Sequence, residues 1–102
     1  MNVLARKTLV DFFSVHADAR EALEAWYVEA SRAKWTSPEE IKARYPKASI
    51  VANNRVVFNI CGNKYRLLCA LHYERGYAYI KFIGTHAEYD RIDVETYNGR
   101  PS

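Results

Sequence analysis

From Ser49 onward the chain is dominated by β-branched and aromatic residues broken only by short polar turns, and this texture constrains the fold more than any other feature. It predicts four strands at residues 49–52, 55–61, 64–73 and 77–84, with turns at Asn53-Asn54, Gly62-Asn63 and around Arg75-Gly76. Strands joined this closely form an antiparallel meander. Side chains alternate between faces, so the turns also fix which residues share the core. A two-residue turn at Gly62-Asn63 sets Val56 opposite Cys69, Phe58 opposite Leu67 and Ile60 opposite Tyr65. A two-residue turn at Arg75-Gly76 sets Phe82 opposite Cys69 and Ile80 opposite Leu71, extending one apolar face across three strands. A three-residue loop would instead bring Lys81 onto that face.

The first half reads as helical. Asn2, Val3 and Leu4 suit a short strand, and a helix is expected from Lys7 to Val15 with Leu9, Phe12 and Phe13 on one stripe. Asp18 is placed to cap a second helix, in which Ala22, Leu23, Trp26, Tyr27 and Ala30 recur at helical spacing. Ser37-Pro38-Glu39-Glu40 combines a capping serine, a first-turn proline and a glutamate three residues on, the start of a short helix that ends near Tyr45, before Pro46. Trp26, Trp35 and Tyr45 are expected in the core. After Gly84, Thr85 and Glu88 form a capping box opening a short C-terminal helix, whose first-turn N–H groups offer an anion site. Residues 93–102 read as a polar tail.

The fold class is therefore α+β: an antiparallel sheet of four to five strands, N-terminal helices on one face and a short C-terminal helix. At 102 residues the chain suits one domain. No apolar run approaches the roughly 20 residues a membrane span needs, and no signal peptide opens the chain, so a soluble, cytoplasmic protein is expected, without a membrane partner. Net charge is only +3, which excludes little by itself. Where the charge lies matters more. Cys61 and Cys69 fall on different faces and are expected as free thiols.

The face opposite the apolar one carries the chemistry. The register makes Asn59 and Arg66 neighbours there and puts His72, Tyr79 and Lys81 further along the same surface. His86, Tyr89 and Asp90 follow at i, i+3 and i+4 on one side of the last helix, beside that surface. Two cations, an imidazole, a carboxylate and a phenol suit cleavage of RNA by its own 2′-hydroxyl. That reaction needs a base, an acid and cations to stabilise charge on the phosphate. Arg66 is the best phosphate clamp because its planar fork bonds two oxygens and stays charged. Lys81 is either a second clamp or a base, if crowding by Arg66 lowers its pKa. His86 is acid or base, Asp90 is base or orienting group, and Tyr89 either stacks on a nucleobase or donates a proton.

Each residue also has an ordinary role. A single lysine or arginine on a strand is usually a solvated charge. His72 suits packing at a sheet edge. His86 and Asp90 lack a third ligand at suitable spacing, so neither a metal nor any other cofactor is expected. Convergence on one face is what favours function. Two rival readings remain open: a non-catalytic RNA- or ribosome-binding module using the same basic face, and a structural subunit held to its partner through the first two helices.

The string VFNICGNKYRL at residues 57–67 and the string YIKFIGTHAEYD at residues 79–90 resemble the two signature stretches of the HigB family of bacterial toxins. The likeness extends from Trp35 to about Ile92. It implies a RelE-like fold and a metal-independent mRNA interferase, an endoribonuclease acting on messages held by the ribosome. It also implies a helix-turn-helix antitoxin of the HigA type, through which alone the toxin would meet operator DNA. The residues carried over for catalysis are Arg66, Lys81, His86, Tyr89 and Asp90, with Asn59, Asn63, Lys64, Tyr79 and Thr85 as RNA-binding positions. Cys61 departs from the family, which often has glycine there.

Overall fold

A computed structural model describes residues 1–98 of the chain. Its sheet holds five strands: β1 (Asn2–Leu4), β2 (Ser49–Val51), β3 (Arg55–Ile60), β4 (Tyr65–His72) and β5 (Tyr77–Thr85), in the order β1-β5-β4-β3-β2. The last four form the expected antiparallel meander, while β1 adds at the edge of β5 in parallel. Three helices, α1 (Arg6–Val15), α2 (Arg20–Arg32) and α3 (Pro38–Arg44), precede the meander, and α4 (His86–Tyr89) follows it. Ala5, in a left-handed conformation at φ 69°, turns the chain out of β1 into α1.

The core forms where the helices cover one face of the sheet. Leu9, Leu23, Trp26, Ala30 and Ile41 meet Val56, Phe58, Ile60, Leu67, Cys69, Leu71, Ala78 and Ile80 there. Phe58 is the hub, with the rings of Trp26 at 5.3 Å, Tyr45 at 5.1 Å and Trp35 at 6.2 Å. The two tryptophans and Tyr45 therefore pack where the sequence puts them. Cys61 and Cys69 are both free thiols, and burial of Cys69 pushes its pKa strongly up, which keeps it protonated.

The β3–β4 register follows the sequence-based expectation, with Val56 opposite Cys69, Phe58 opposite Leu67 and Ile60 opposite Tyr65. Cys61 sits in the connecting turn at φ 54°, a conformation that glycine adopts without steric cost. That explains why glycine suits this position. The β4–β5 register differs from the expectation. Ile80 lies opposite Cys69 rather than Leu71, and Phe82 lies opposite Leu68 rather than Cys69. The loop spans residues 73–76, closed by Gly76 N–H donating to the His72 carbonyl at 2.8 Å, and a bulge at Lys81 absorbs one further residue of β5. The longer loop preserves which face the start of β5 presents. The bulge then turns Phe82 out of the core and onto the opposite face.

Two expected caps also differ. Asp18 lies in a 3₁₀ turn (Ala17–Ala19), and its carboxylate caps no helix. It binds Lys64 Nζ and the Tyr65 hydroxyl instead, the latter at 2.7 Å. Ser37 stands at the start of α3 and Pro38 in its first turn, but the Glu40 carboxylate reaches the Thr36 N–H (3.1 Å) and hydroxyl rather than closing a box on Ser37.

The other face of the sheet is not bare. Val57 and Leu68 are as buried as core residues yet stand apart from the helix-side cluster. What crosses that face is the near end of the polar tail. Asn53 Nδ2 donates to the Glu95 carbonyl at 2.9 Å, and Arg55 donates to Val94 O (3.1 Å), Tyr97 O and Asn98 Oδ1 (3.0 Å). Residues 99–102 of the tail lie outside the described residues.

Candidate active site

The residues singled out from the sequence fall into two groups on the face opposite the packed core, with Lys64 and His72 apart from both. At the β3–β4 hairpin, Asn59 pairs with Arg66 across the ladder. Asn63 ties them together: its carbonyl accepts from Arg66 Nη1 at 3.1 Å, and its side-chain oxygen accepts from Asn59 Nδ2 at 3.2 Å. The Arg66 guanidinium carbon lies 5.9 Å from the centre of the Tyr89 ring. The turn thus holds one end of the guanidinium and the aromatic ring lies over it, while among the described residues nothing takes up the rest of the fork, which can bond an anion.

Tyr89 comes from α4, as do His86 and Asp90. His86 Nδ1 and Asp90 Oδ2 are 3.1 Å apart, with both side chains exposed. This contact holds the imidazole at Nδ1, an arrangement that lets a carboxylate orient an acid or base. Tyr89 has its phenol pKa raised by burial. Arg66 works against the shift and Asp90 adds to it, so the phenol stays protonated and able to donate. The Thr85-Glu88 capping box is present, with Glu88 N–H donating to Thr85 Oγ1 at 3.2 Å and Thr85 N–H to Glu88 Oε1 at 2.8 Å. Those donors are therefore occupied, and a four-residue helix does not provide the anion site expected at its first turn.

Gly84 explains how α4 comes so close. It lies opposite Arg66, and a Cβ there would stand 2.5 Å from the Phe82 ring and 3.0 Å from the Glu88 carboxylate. Any side chain would push the Phe82 ring out of its place beside Tyr89, 6.5 Å away.

The second group lies further down β5. Lys81, at the bulge, has its ammonium 4.0 Å from the centre of the Tyr79 ring. Its pKa is lowered in the direction the sequence suggested, but the causes are burial first and then the Arg55 charge, not Arg66. An open groove of about 600 Å³ runs between these residues and α1, with Tyr79, Lys81, Phe82, Glu88 and Tyr97 on one side and Lys7, Asp11, Phe12 and His16 on the other.

Lys64 stands apart from both groups, paired with Asp18 on the helix side. His72 lies at the far end of β4, its Nδ1 accepting from Arg75 N–H at 3.2 Å and its ring beside Tyr77. Six residues separate it from Arg66 along the strand, roughly 20 Å. Among the described residues, no group of three or more His, Cys, Asp or Glu side chains is placed to hold a metal ion, and no helix is long and apolar enough to cross a membrane.

Three residues on this face are not legible as site residues from the sequence: Arg55, Phe82 and Tyr97. The expected register, lacking the bulge, places Phe82 in the core. Nothing local marks Arg55, or Tyr97 within the polar tail, because their contact spans some 40 residues.

Residues 19–92 match the model of a toxin family described as HigB_toxin, the RelE-like toxic component of a toxin-antitoxin system. The chain is 27% identical to a protein of Escherichia coli strain K12 named mRNA interferase toxin HigB, over 88% of each chain. It is similar to the same extent to proteins of Escherichia coli O157:H7 and Shigella flexneri, each named mRNA interferase HigB.

Proposed function

This chain belongs to the HigB family of RelE-like toxins, the toxic components of toxin-antitoxin systems, and we propose that it is a cytoplasmic endoribonuclease that cleaves mRNA held by the ribosome. The whole chain acts as one toxin domain. The observation that carries this reading is the meeting of Arg66 with Tyr89 and the His86–Asp90 pair of α4 on the face of the sheet opposite the packed core. The names of its relatives point the same way.

In the reaction, the ribose 2′-oxygen attacks the adjacent phosphorus and the 5′-oxygen of the next nucleotide leaves. The products are a 2′,3′-cyclic phosphate and a 5′-hydroxyl. Arg66 binds the non-bridging oxygens and stabilises the charge that grows on them, with side-chain cations alone in that role and no metal required. Lys81, its charge disfavoured by burial, accepts the 2′-hydroxyl proton. Asp90 orients His86 as the acid for the leaving oxygen, and Tyr89 packs against Arg66 and the neighbouring base. Asn59 and Asn63 hold Arg66 in place. The message is ordered by the ribosome, which relieves a small toxin of forming a deep pocket. An antitoxin of the HigA helix-turn-helix type silences the toxin and carries it to operator DNA.

Induction of the wild-type chain is expected to arrest growth and to leave messages with cyclic-phosphate ends. The triple variant Arg66→Ala, His86→Ala, Asp90→Ala should fold and lose both effects. Undiminished toxicity in that folded variant would falsify the site assignment. RNA binding without cut ends in the wild type would return the non-catalytic reading.

A further inference from the structure

Arg55 is the one buried charged residue among those described, only 7% exposed. Burying a guanidinium is costly unless its donors are satisfied. Here all its side-chain partners come from the C-terminal segment: Val94 O, Tyr97 O and Asn98 Oδ1. Among the described residues, no carboxylate neutralises it, so its charge reaches Lys81 across the same face. Lifting the segment would strand the guanidinium and part the Tyr97 ring from Phe82, so residues 94–98 are held down by hydrogen bonds from a buried charge and by an aromatic contact.

The clamp fixes one side chain in particular. Tyr97 packs edge-on against Phe82, with ring centres 5.6 Å apart, and lines the groove that holds Lys81 and Tyr79. Phe82 in turn lies beside Tyr89, which lies over Arg66. A row of half-buried aromatic rings with cations beside it, Arg66 at its end and Lys81 in the groove that Tyr97 lines, is the kind of surface on which proteins hold unstacked bases of single-stranded RNA.

We infer that the C-terminal segment, clamped by Arg55, is a wall of the RNA site, and that Tyr97 is a stacking platform for a base flanking the scissile phosphate. This rests on the RNA-cleavage reading above. Tyr97 then sets base preference beside the cut, and Arg55 is a positioning residue acting through it.

The test uses the full chain with translating ribosomes and a defined message, with cut sites mapped and KM and kcat measured separately. Tyr97→Phe should retain wild-type behaviour. Tyr97→Ala should raise KM about tenfold, leave kcat nearly unchanged, and flatten the base preference next to the cut. Arg55→Lys, which keeps the charge but offers a single ammonium to the segment, should shift KM in the same direction. The double variant Arg55→Lys, Tyr97→Ala should be no worse than Tyr97→Ala alone. Unchanged KM and base preference in Tyr97→Ala, with cleavage still abolished by Arg66→Ala, overturns the inference and leaves the proposed function standing. Additive losses in the double variant overturn the role given to Arg55. A wild-type chain that cuts no RNA overturns both the inference and the function it rests on.

Discussion

The two faces of the sheet are made from the same strands and are stabilised in different ways. On the helix side, Phe58, Leu67 and Cys69 are at most 1% exposed and are enclosed by helices and aromatic rings. On the other side, Val57 and Leu68 are equally buried, but that face carries a single turn of helix, a clamped tail and the site's own side chains. One face is a packed interior. The other is a thin apolar floor beneath Arg66, Lys81 and their aromatic neighbours, so that charges stand partly desolvated yet open to a polyanion. A strand can thus serve stability with one set of side chains and chemistry with the next, because neighbours in sequence face opposite ways.

The largest effect that would break this comparison lies on the packed face. Phe58→Ala removes the hub ring from among Trp26, Trp35 and Tyr45, and should cost about 3–5 kcal/mol of stability in denaturant unfolding. Arg66→Ala, one strand away on the open face, should shift stability by no more than about 0.5 kcal/mol while abolishing cleavage. Comparable destabilisation by both would mean that the faces are not separable.

Lys81 gives the next largest effect. Burial and the Arg55 charge hold its pKa below the ordinary lysine value of 10.5. Between the lowered and ordinary values the unfolded chain binds more protons than the folded one, so the contribution of Lys81 to stability improves as pH rises through that window. Its neutral fraction grows over the same range. If Lys81 is the base, cleavage of a message whose leaving 5′-oxygen is replaced by sulfur, which needs no acid from His86, should climb with pH and level off below 10.5, and Lys81→Arg should lower that rate by about 10²-fold and remove the climb. A profile flat with pH for that message assigns Lys81 to phosphate binding alone.

How much of this was legible in the sequence depends on how far apart the partners lie. The helix-side core and the β3–β4 register follow from local alternation and a short turn, and both hold in the structure, as does the Thr85-Glu88 box three residues long. The Lys81 bulge does not announce itself. It accompanies a Phe82 ring whose partners, Tyr89 and Tyr97, arrive later in the chain. Asp18 sits where a helix cap is expected, yet its partners are Lys64 and Tyr65, 46 and 47 residues away. Arg55 is likewise explained only by acceptors some 40 residues on. Periodicity reveals faces but carries no information about which distant segment covers them.

Lys64 offers the smallest effect and the finest division between the faces. From the sequence it is an RNA-binding position, and in the fold its ammonium is engaged by Asp18. The Lys64 hydrogen bond, followed by that of Tyr65, holds the Asp18 carboxyl below its ordinary value of 3.8. A lowered carboxyl pKa stabilises the fold above that ordinary value, and the contribution is lost as pH falls through the lowered one. Both side chains are about half exposed, so solvent screens the pair and its contribution to stability is small. Lys64→Ala should therefore cost little stability at neutral pH and less still in acid, and in a cycle with Asp18→Ala the two losses should not add. If Lys64 serves as a strut between the 3₁₀ turn and the hairpin, ribosome-bound cleavage by Lys64→Ala stays near wild type. A loss of cleavage whose salt dependence weakens relative to wild type would instead mean that Lys64 exchanges Asp18 for a phosphate when RNA binds, and that the site reaches around the hairpin tip to the helix side.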